Sequence, residues 1–284
     1  MTDSIATALA RLRPISLAAL NSKAAMLERL DNKYIVAAAD MAQLLPLLAP
    51  HFDVLEIGGK RVFTYRTCYF DDARLTAYRA HHQGRRRRAK VRVRDYCDAG
   101  LRFLEIKLKD RRSITVKKRL KLPPGADALD RRGLDFIDAE YRALYGEPFP
   151  AGLDAVIRME YRRITLVARE GGERMTIDTG LVFRTERKER AVDPGLFIIE
   201  TKSERANGLA DKILRSLHLH PTKRVSKYCV GMASMGRAPR ANRFLLAMRR
   251  LGLAPFSDGA YGDLALSPAA PAASRPAAAR PSAS

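Results

Sequence analysis

AKVRVRDY at residues 89–96 and RFLEIKLK at residues 102–109 are the stretches that decide the fold, because both alternate charged and apolar side chains. An extended strand directs successive side chains to opposite faces. The charged face carries Lys90, Arg92 and Arg94 in the first stretch, and Glu105, Lys107 and Lys109 in the second. The pattern therefore predicts two β-strands, each with one apolar and one charged face.

Similar alternation recurs at residues 158–167, 174–178 and 197–202. In an ordinary half-buried sheet the charged face of each strand points to solvent. Five or six such strands could instead close with their charges inward, as small barrels with a polar lumen do, and helices would then have to cover the apolar outer faces. The sequence supplies candidate helices at 4–27, 40–49, 130–145 and 205–217.

The composition favours a globular protein that is attracted to polyanions. The 284 residues, 46% of them hydrophobic, suit one sizeable domain with appendages. A formal net charge of +21 predicts attraction to nucleic acid, anionic membrane surfaces, nucleotides or polyphosphate, and charge alone does not choose among them. The three cysteines and five histidines lack the spacing of a disulfide framework, a zinc site or a catalytic triad. The adjacent His81 and His82 are interpreted as loop residues.

Neither a leader nor a membrane span is expected from the sequence. The opening segment contains charged residues and lacks the long apolar core of a secretory signal peptide. The most apolar window, residues 35–49, is shorter than the ~20 residues that a spanning helix needs. The Pro/Ala/Ser tract at residues 265–284 has almost nothing to bury, which predicts a disordered tail.

Eight short segments carry a resemblance to a known family. They are ERLDNKYIV (28–36), TCYFDD (67–72), KVRVRDY (90–96), FLEIKLK (103–109), YRR (161–163), RMTID (174–178), IIETK (198–202) and RVSKYCVG (224–231). In this order they resemble the vacuolar transporter chaperone (VTC) domain, the polyphosphate polymerase branch of the triphosphate tunnel metalloenzymes, or CYTH-like superfamily. No single segment is specific, but the eight in the family's order are.

The resemblance implies a fold and a division of the chain. The fold is α+β: a closed antiparallel β-barrel of about eight strands that forms a charged tunnel, with helices packed outside. The division is an N-terminal helical segment at 1–26, a tunnel domain at 27–235, a C-terminal extension at 236–264 and the disordered tail at 265–284.

The resemblance also implies an activity and its residues. Family members transfer the γ-phosphate of ATP to a growing polyphosphate chain, with Mn²⁺ or Mg²⁺ as cofactor. The positions that match the family's catalytic tunnel cations are Lys33, Arg92, Arg94, Lys107, Arg163 and Lys227. The positions that match phosphate-binding residues are Tyr161, Arg174, Lys202, Arg224 and Ser226, and Glu200 matches the metal-binding glutamate. Weaker candidates for phosphate binding are Lys117 and Arg119.

Several of these residues have ordinary alternative interpretations. Glu200 could simply neutralise Lys202, two positions away on one strand face, and Glu105 is better interpreted as a charge-balancing group. Ser226 with Lys227 would, without the motif, be an exposed polar pair near a strand or loop. The run of arginines at 85–88 is interpreted as a solvated loop, with the capture of polyphosphate or acidic lipid at the tunnel mouth as the alternative.

Two rival functions stay open. The superfamily's triphosphatases begin with Glu-X-Glu-X-Lys, whereas the positions before Lys33 hold Asp31 and Arg29, which favours the polymerase branch over a triphosphatase or polyphosphatase. A non-catalytic module that binds polyphosphate or nucleotide is the other rival. Specific nucleic-acid binding ranks below both, since aromatic content is 7% and tryptophan is absent.

The expected location is cytoplasmic, with the inner face of a membrane as a further option. Family members often work beside membrane subunits. The resemblance therefore implies a membrane-protein partner for a chain that is not expected to span the membrane itself.

Overall fold

A computed structural model describes residues 3–23, 30–109, 115–150, 152–204 and 206–253. The described residues form eight α-helices: α1 (Asp3–Ala10), α2 (Leu17–Lys23), α3 (Ala38–Leu48), α4 (Thr76–Gln83), α5 (Arg131–Tyr145), α6 (Leu209–Ser216), α7 (Lys227–Ser234) and α8 (Leu245–Arg250). Short 3₁₀ helices lie at Cys97–Ala99 and Asn242–Phe244.

Eleven strands in the same residues form one sheet. They are β1 (Arg13–Ile15), β2 (Leu30–Ala37), β3 (Phe52–Leu55), β4 (Phe63–Asp71), β5 (Arg88–Tyr96), β6 (Leu101–Lys109), β7 (Thr115–Leu122), β8 (Asp154–Ala168), β9 (Arg174–Arg184), β10 (Glu189–Ala191) and β11 (Leu196–Ser203). Eight of them follow the antiparallel order β2-β11-β9-β8-β4-β5-β6-β7. The mixture of helices and antiparallel strands confirms the predicted α+β class.

The eight-strand path is strongly curved. Strands β2 and β6 stand six positions apart in the order, which would separate them by ~29 Å in a flat sheet with strands about 4.8 Å apart. Lys107 on β6 nevertheless lies close enough to Asp31 on β2 and Glu200 on β11 for their charges to act on its ammonium. The sheet therefore curls until its first and seventh strands face each other.

The predicted closure of the barrel is not confirmed. Within the described residues no hydrogen-bonded ladder joins β7 to β2, so these strands remain the two edges of the curved path. The alternating pattern reports which face of each strand is apolar, and it carries no information about the pairing of the first strand with the last.

Helices cover the outer face of the sheet, as the alternation requires. Against β5 and β6, helix α5 packs Ile137 onto a cluster that includes Val91, Leu104 and Ile106. A second cluster buries the outer faces of β2, β8, β9 and β11 under α1, α3 and α6. Burial of these apolar faces stabilises the fold by about 25 cal/mol per Å² removed from water. Because the apolar faces lie under the helices, the charged faces are turned inward.

Helix α7 lies against the inner face. Its residues from Tyr228 to Ser234 are all buried, and Gly231 lies so close to Phe183 and Ile157 that a β-carbon there would come within 2.6 Å and 2.8 Å of their side chains. The helix therefore fills part of the concave side and brings its first residues to the charged strands.

Two local predictions were wrong. The helix expected at 4–27 is interrupted by β1, because Pro14 lacks an N–H and disfavours helical geometry at the residue before it. Residues 24–27 of that prediction lie outside the described residues. His81 and His82 are in helix α4 and not in a loop, where His82 Nε2 lies 2.7 Å from Asn242 Oδ1.

The two C-terminal segments of the predicted division have different outcomes. Residues 236–253 pack Phe244, Met248 and Leu251 into the same core as the sheet. The predicted tail at 265–284 lies outside the described residues.

Candidate functional site

The inner faces of the eight strands form a groove lined by cations, which we call the cationic groove. Four carboxylates lie in it, and three of them, Glu105, Asp178 and Glu200, are each shared by two cations. We name the resulting groups by their elements: the β2–β11 cluster, the β8–β9–α7 cluster and the β5–β6–β7 cluster.

The β2–β11 cluster is centred on Glu200. Lys33 is directly opposite Glu200 in the ladder, and its Nζ lies 3.2 Å from Glu200 Oε1. Lys202 also contacts Glu200 Oε1 and lies 3.4 Å from Asp31 Oδ1. The two lysines and two carboxylates thus compensate one another in the absence of a ligand.

Asp211 on helix α6 holds these two strands from behind. It is fully buried, and its Oδ1 accepts hydrogen bonds from Tyr34 Oη (2.6 Å), Asn32 Nδ2 (3.0 Å) and Thr201 Oγ1 (2.8 Å). All three donors are on the outer face and alternate along β2 and β11 with the residues of the β2–β11 cluster. Asp211 therefore fixes the register that presents that cluster to the groove.

The β8–β9–α7 cluster is centred on Asp178, which is 1% exposed. Arg163 binds it through two parallel hydrogen bonds, Nε to Oδ1 at 2.6 Å and Nη2 to Oδ2 at 2.8 Å. Lys227 Nζ lies 2.5 Å from Asp178 Oδ2. Burial opposes ionisation of Asp178, but the two cations outweigh it and lower its pKa to about 2.

Lys227 reaches the groove because helix α7 begins there. Ser226 is the N-cap residue, and its Oγ accepts a hydrogen bond from Cys229 N. Lys90 Nζ donates to the same Oγ at 3.0 Å. Ser226 and Lys227 are both half-buried at this helix start, so the alternative description of them as an exposed polar pair does not apply.

The β5–β6–β7 cluster is centred on Glu105, also 1% exposed. Arg92 Nε donates to Glu105 Oε2 at 2.7 Å, and Lys117 contacts Oε1. Burial opposes ionisation of Glu105, but nearby positive charges, led by that of Arg92, lower its pKa to about 2. Arg92 Nη1 also donates to Tyr69 Oη at 2.8 Å, so the guanidinium is held on two sides.

Stacked tyrosines line the groove between these clusters. The rings of Tyr65 and Tyr161 stack with centroids 5.5 Å apart, and Arg94 and Arg163 lie 5.6 Å and 5.3 Å from the centroid of Tyr65. Lys227 Nζ lies 5.0 Å from the centroid of Tyr161. The hydroxyl of Tyr161 is buried without a hydrogen-bond partner among the described residues, so it can serve a ligand in the groove.

The clusters act on one another electrostatically. Burial alone would raise the pKa of the Glu200 carboxyl. The three positive charges around it, from Lys33, Lys202 and Arg163, outweigh that effect and hold its pKa well below its usual range. Loss of hydration lowers the pKa of Lys107 to about 8, although Asp31 and Glu200 act in the opposite direction. The charges on neighbouring strands of the groove therefore influence one another's pKa values, and the cations lie close together.

Two carboxylates of the β2–β11 cluster are close enough together to share a cation. Asp31 and Glu200, on neighbouring strands, both contact the ammonium of Lys202 and so already share one cation. Mg²⁺ is typically held by one or two carboxylates together with phosphate oxygens and water. No group of three histidine, cysteine or acidic side chains that could hold a metal occurs in the part of the chain described. Asp31 and Glu200 therefore fit an ion that takes its remaining ligands from water or a bound anion.

The structure brings most of the predicted site residues together. Those with contacts in the groove are Lys33, Arg92, Arg94, Tyr161, Arg163, Glu200, Lys202, Ser226 and Lys227. Lys107 lies within electrostatic range of Asp31 and Glu200. Arg174 is opposite Lys202 in the ladder between β9 and β11. Arg224 is exposed on the loop before α7, at φ +64°, and none of the described ion pairs joins it to the groove.

Sequence reasoning missed Asp178 and Lys90, which were not predicted to be functional. Glu105 was interpreted as a charge-balancing group, and in the structure it pairs with Arg92 and Lys117. Asp178 had a usable indication, since it follows Arg174 and Thr176 on one face of the segment RMTID. Its role depends on the opposite strand, where Arg163 is its direct partner in the ladder, and that pairing is not visible in a single segment.

The protein is therefore of the α+β class, with a curved antiparallel sheet that has helices on its outer face and a cationic groove on its inner face. A sequence profile of the VTC domain matches residues 28–236, so the chain belongs to the VTC domain family. A search of curated protein sequences gave no significant match. Within the described residues, no helix combines the length and apolar character required to cross a bilayer.

Some solved structures are similar to this chain at low identity. HpAC1 from Hippeastrum, an adenylyl cyclase candidate with a dominant triphosphatase activity, is 16% identical with a TM-score of 0.42, over 72% of this chain and 95% of that one. The PH1819 protein of Pyrococcus horikoshii OT3 is 15% identical with a TM-score of 0.39, over 70% of this chain and 96% of that one. The PH1012 protein of the same organism is 12% identical with a TM-score of 0.40, over 71% and 99%.

Proposed function

We propose that this protein is a metal-dependent polyphosphate polymerase that transfers the γ-phosphate of ATP to a polyphosphate chain. The observation that carries the proposal is the repeated arrangement of one carboxylate shared by two cations, present three times in one groove. With Asp31, which contacts Lys202, six cations in these clusters face four carboxylates. The cations of the groove therefore exceed its carboxylates. A chain of phosphates carries negative charge at regular intervals and can balance this excess along the groove, whereas a ligand with a single carboxylate cannot.

The cations have distinct roles in this proposal. Arg92, Arg94 and Arg163 would grip phosphate oxygens in the fixed fork geometry of the guanidinium. Lys33, Lys107, Lys202 and Lys227 would act as point charges, with Arg174 and Arg224 as further phosphate ligands. Ser226 and the unpartnered hydroxyl of Tyr161 would donate hydrogen bonds. Phosphoryl transfer is catalysed mainly by such positioning and charge stabilisation.

Glu200, with Asp31 beside it, would hold Mn²⁺ or Mg²⁺ together with phosphate oxygens. When bound, the ion would neutralise negative charge on those oxygens. This placement leaves Lys33 and Lys202 to turn from the carboxylate to the substrate. In this proposal, the ion pairs that Lys33 and Lys202 make with Glu200 would be replaced by contacts with phosphate oxygens when the substrate binds.

The acceptor distinguishes the polymerase from a hydrolase. In the polymerase, an oxygen of the chain's terminal phosphate forms a bond to the γ-phosphorus, the bond from that phosphorus to the β–γ bridging oxygen breaks, and ADP leaves. A terminal phosphate is already ionised, whereas water needs a base to remove its proton. The groove carboxylates Glu105 and Asp178 have their pKa values lowered to about 2, so they are poor bases at neutral pH. Neither of these two carboxylates is therefore suited to activate water, the nucleophile in the triphosphatase or polyphosphatase alternative.

The test is incubation of the purified protein with ATP and Mn²⁺ or Mg²⁺, with polyphosphate, ADP and free phosphate resolved together. Long polyphosphate with an equivalent amount of ADP is the expected result. Free phosphate without polymer would favour the hydrolase, and tight binding of triphosphate without turnover would favour a non-catalytic binding module.

A Glu200→Gln substitution should lower metal-dependent turnover by about 100-fold, because several kcal/mol of charge stabilisation is lost with the ion. The amide keeps the shape of the side chain but not its charge. Turnover is measured over a series of Mn²⁺ concentrations. Glu204→Gln, at an exposed position beyond the end of β11, is the matched control and should leave turnover unchanged. Full metal-dependent turnover in Glu200→Gln would contradict the metal-binding role.

Triphosphate binding should take up protons near pH 8. Loss of hydration lowers the pKa of Lys117 to about 8, although Glu105 acts in the opposite direction. A bound polyanion favours the charged ammonium and raises that pKa, so affinity falls as the pH rises through this value. Calorimetry with inorganic triphosphate in two buffers of different ionisation enthalpy measures the uptake. Lys117→Met should reduce it, and unchanged uptake would show that this lysine does not meet the ligand.

The proposal also covers organisation and partners. Residues 27–235 would form the catalytic domain, and a membrane-protein partner would carry the product away from it. The support for both is the family to which the chain belongs.

A further inference from the structure

Two long segments of the sequence contain no acidic residue. Residues 73–94 and residues 212–253 lack both aspartate and glutamate, although together they contain nineteen lysines and arginines. Such a separation of charge is unusual in a chain with 31 acidic residues. If the two segments were adjacent in the fold, they would form a surface on which arginines have no acidic neighbours.

The structure places these segments side by side. Tyr78 Oη on α4 donates to the carbonyl of Arg240 at 2.6 Å, and Arg243 Nη1 donates to the carbonyl of His82 at 2.6 Å. The rings of Tyr78, His81 and His82 contact Phe244, which immediately precedes α8. Helix α4 and the Asn242–Phe244 turn therefore belong to one continuous face.

That face, which we call the arginine face, carries exposed and unneutralised arginines. They are Arg79, Arg85, Arg86, Arg240 and Arg243, and no salt bridge among the described residues engages any of them. Carboxylates close to these elements are engaged by other groups: Glu147 pairs with Arg87, Asp71 accepts from Ala77 N and Tyr78 N, and Asp72 accepts from Thr76 N.

An exposed apolar residue lies at the edge of the arginine face. Leu246 on α8 is 61% exposed, the highest value among the large hydrophobic side chains described. Arg249 and Arg250, three and four positions later, are exposed on the same side of the helix. The buried side of α8 consists of Ala247, Met248 and Leu251. The outward side is therefore both apolar and cationic.

We infer that the arginine face docks on the surface of an anionic lipid bilayer. Clustered arginines next to the membrane are attracted by its negative surface potential, and an apolar side chain beside them can enter the boundary between headgroups and acyl chains. Free polyphosphate offers the same phosphate chemistry, but it provides nothing for Leu246 to bury against. The apolar residue is what selects the lipid surface over the soluble polyanion.

The experiment is co-sedimentation of the full-length protein with vesicles of phosphatidylcholine, alone or with about one third phosphatidylglycerol. We expect binding only to the anionic vesicles, and a marked fall in binding when salt rises from about 0.1 M to about 0.5 M, because screening shortens the reach of the charges. Equal binding to both kinds of vesicle would overturn the proposal.

Variants locate the contact. Arg240→Glu/Arg243→Glu should weaken anionic vesicle binding by at least about tenfold, and Leu246→Ser by several-fold. Arg79→Glu/Arg86→Glu, whose side chains make no hydrogen bond among those described, gives an independent version should the first pair disturb folding. Arg132→Glu/Arg158→Glu changes the net charge equally at exposed positions on α5 and β8 and should have less than a twofold effect.

Three results would overturn the assignment. The control pair could weaken binding as much as the arginine-face pairs, which would show a general effect of net charge. Leu246→Ser could bind anionic vesicles as the unchanged protein does. The arginine-face variants could also lose affinity for soluble polyphosphate while keeping their affinity for vesicles, which would make this surface a polyphosphate site.

Discussion

An Asp178→Ala substitution should destabilise the protein by about 3–5 kcal/mol, the range found when one partner of a buried ion pair is removed. Asp178 is 1% exposed and is shared by Arg163 and Lys227, so its loss leaves two cations crowded against each other without a counter-charge. Denaturant unfolding of the variant and of the unchanged protein measures the difference.

Inorganic triphosphate should restore part of that stability. The ligand's phosphates would take the place of the missing carboxylate between the two cations, so the gain on adding triphosphate should be larger in the variant than in the unchanged protein. Asp135→Ala is the control, since Asp135 pairs with Arg131 on the exposed surface of α5 and should cost less than about 1 kcal/mol. A loss as small in Asp178→Ala as in the control would contradict the importance of the buried cluster.

A Lys227→Ala substitution should lower turnover by about 100- to 1,000-fold, the effect typical of removing one group that stabilises developing charge. The variant should stay folded, because Arg163 continues to pair with Asp178 through two hydrogen bonds. Polymer and ADP are quantified at saturating ATP, so that a loss in the chemical step is separated from a loss of binding.

Lys223→Ala is the matched control for that experiment. Lys223 is an exposed lysine four residues earlier, on the loop before α7, and its removal changes the net charge by the same amount. Its turnover should match that of the unchanged protein. Equal activity of the two variants would exclude Lys227 from the reaction, whatever the product assay shows for the unchanged chain.

The alternation within strands is the part of the fold that the sequence predicts well. Val91, Leu104 and Ile106 are buried under a helix, as the apolar positions of their segments require. That information is local, because the two faces of a strand are determined by successive residues. Helix α5 is likewise predicted to within a residue, since Asp130 caps it and Gly146 ends it with φ +75°.

The pairing of strands is the part that a single sequence does not determine. Asp178 joins the site through Arg163, fifteen residues earlier, and through Lys227, which enters from a helix forty-nine residues later. The cap at Ser226 that begins this helix is a common Ser pattern, and without the fold nothing separates it from a loop. The same limit applies to closure, which depends on β2 and β7, the two end strands of the eight-strand sheet path.

The sharing of each groove carboxylate by two cations has a consequence for how a long anion would move. If the proposed function is correct, an incoming phosphate would exchange places with Glu105, Asp178 or Glu200 at the cations of these clusters, so each such step of entry or exit would replace one counter-ion by another. Because attraction lost at one position is replaced by an internal carboxylate, no position retains the chain strongly. Such a groove would allow a polymer to move by one phosphate at a time and would allow the finished product to dissociate.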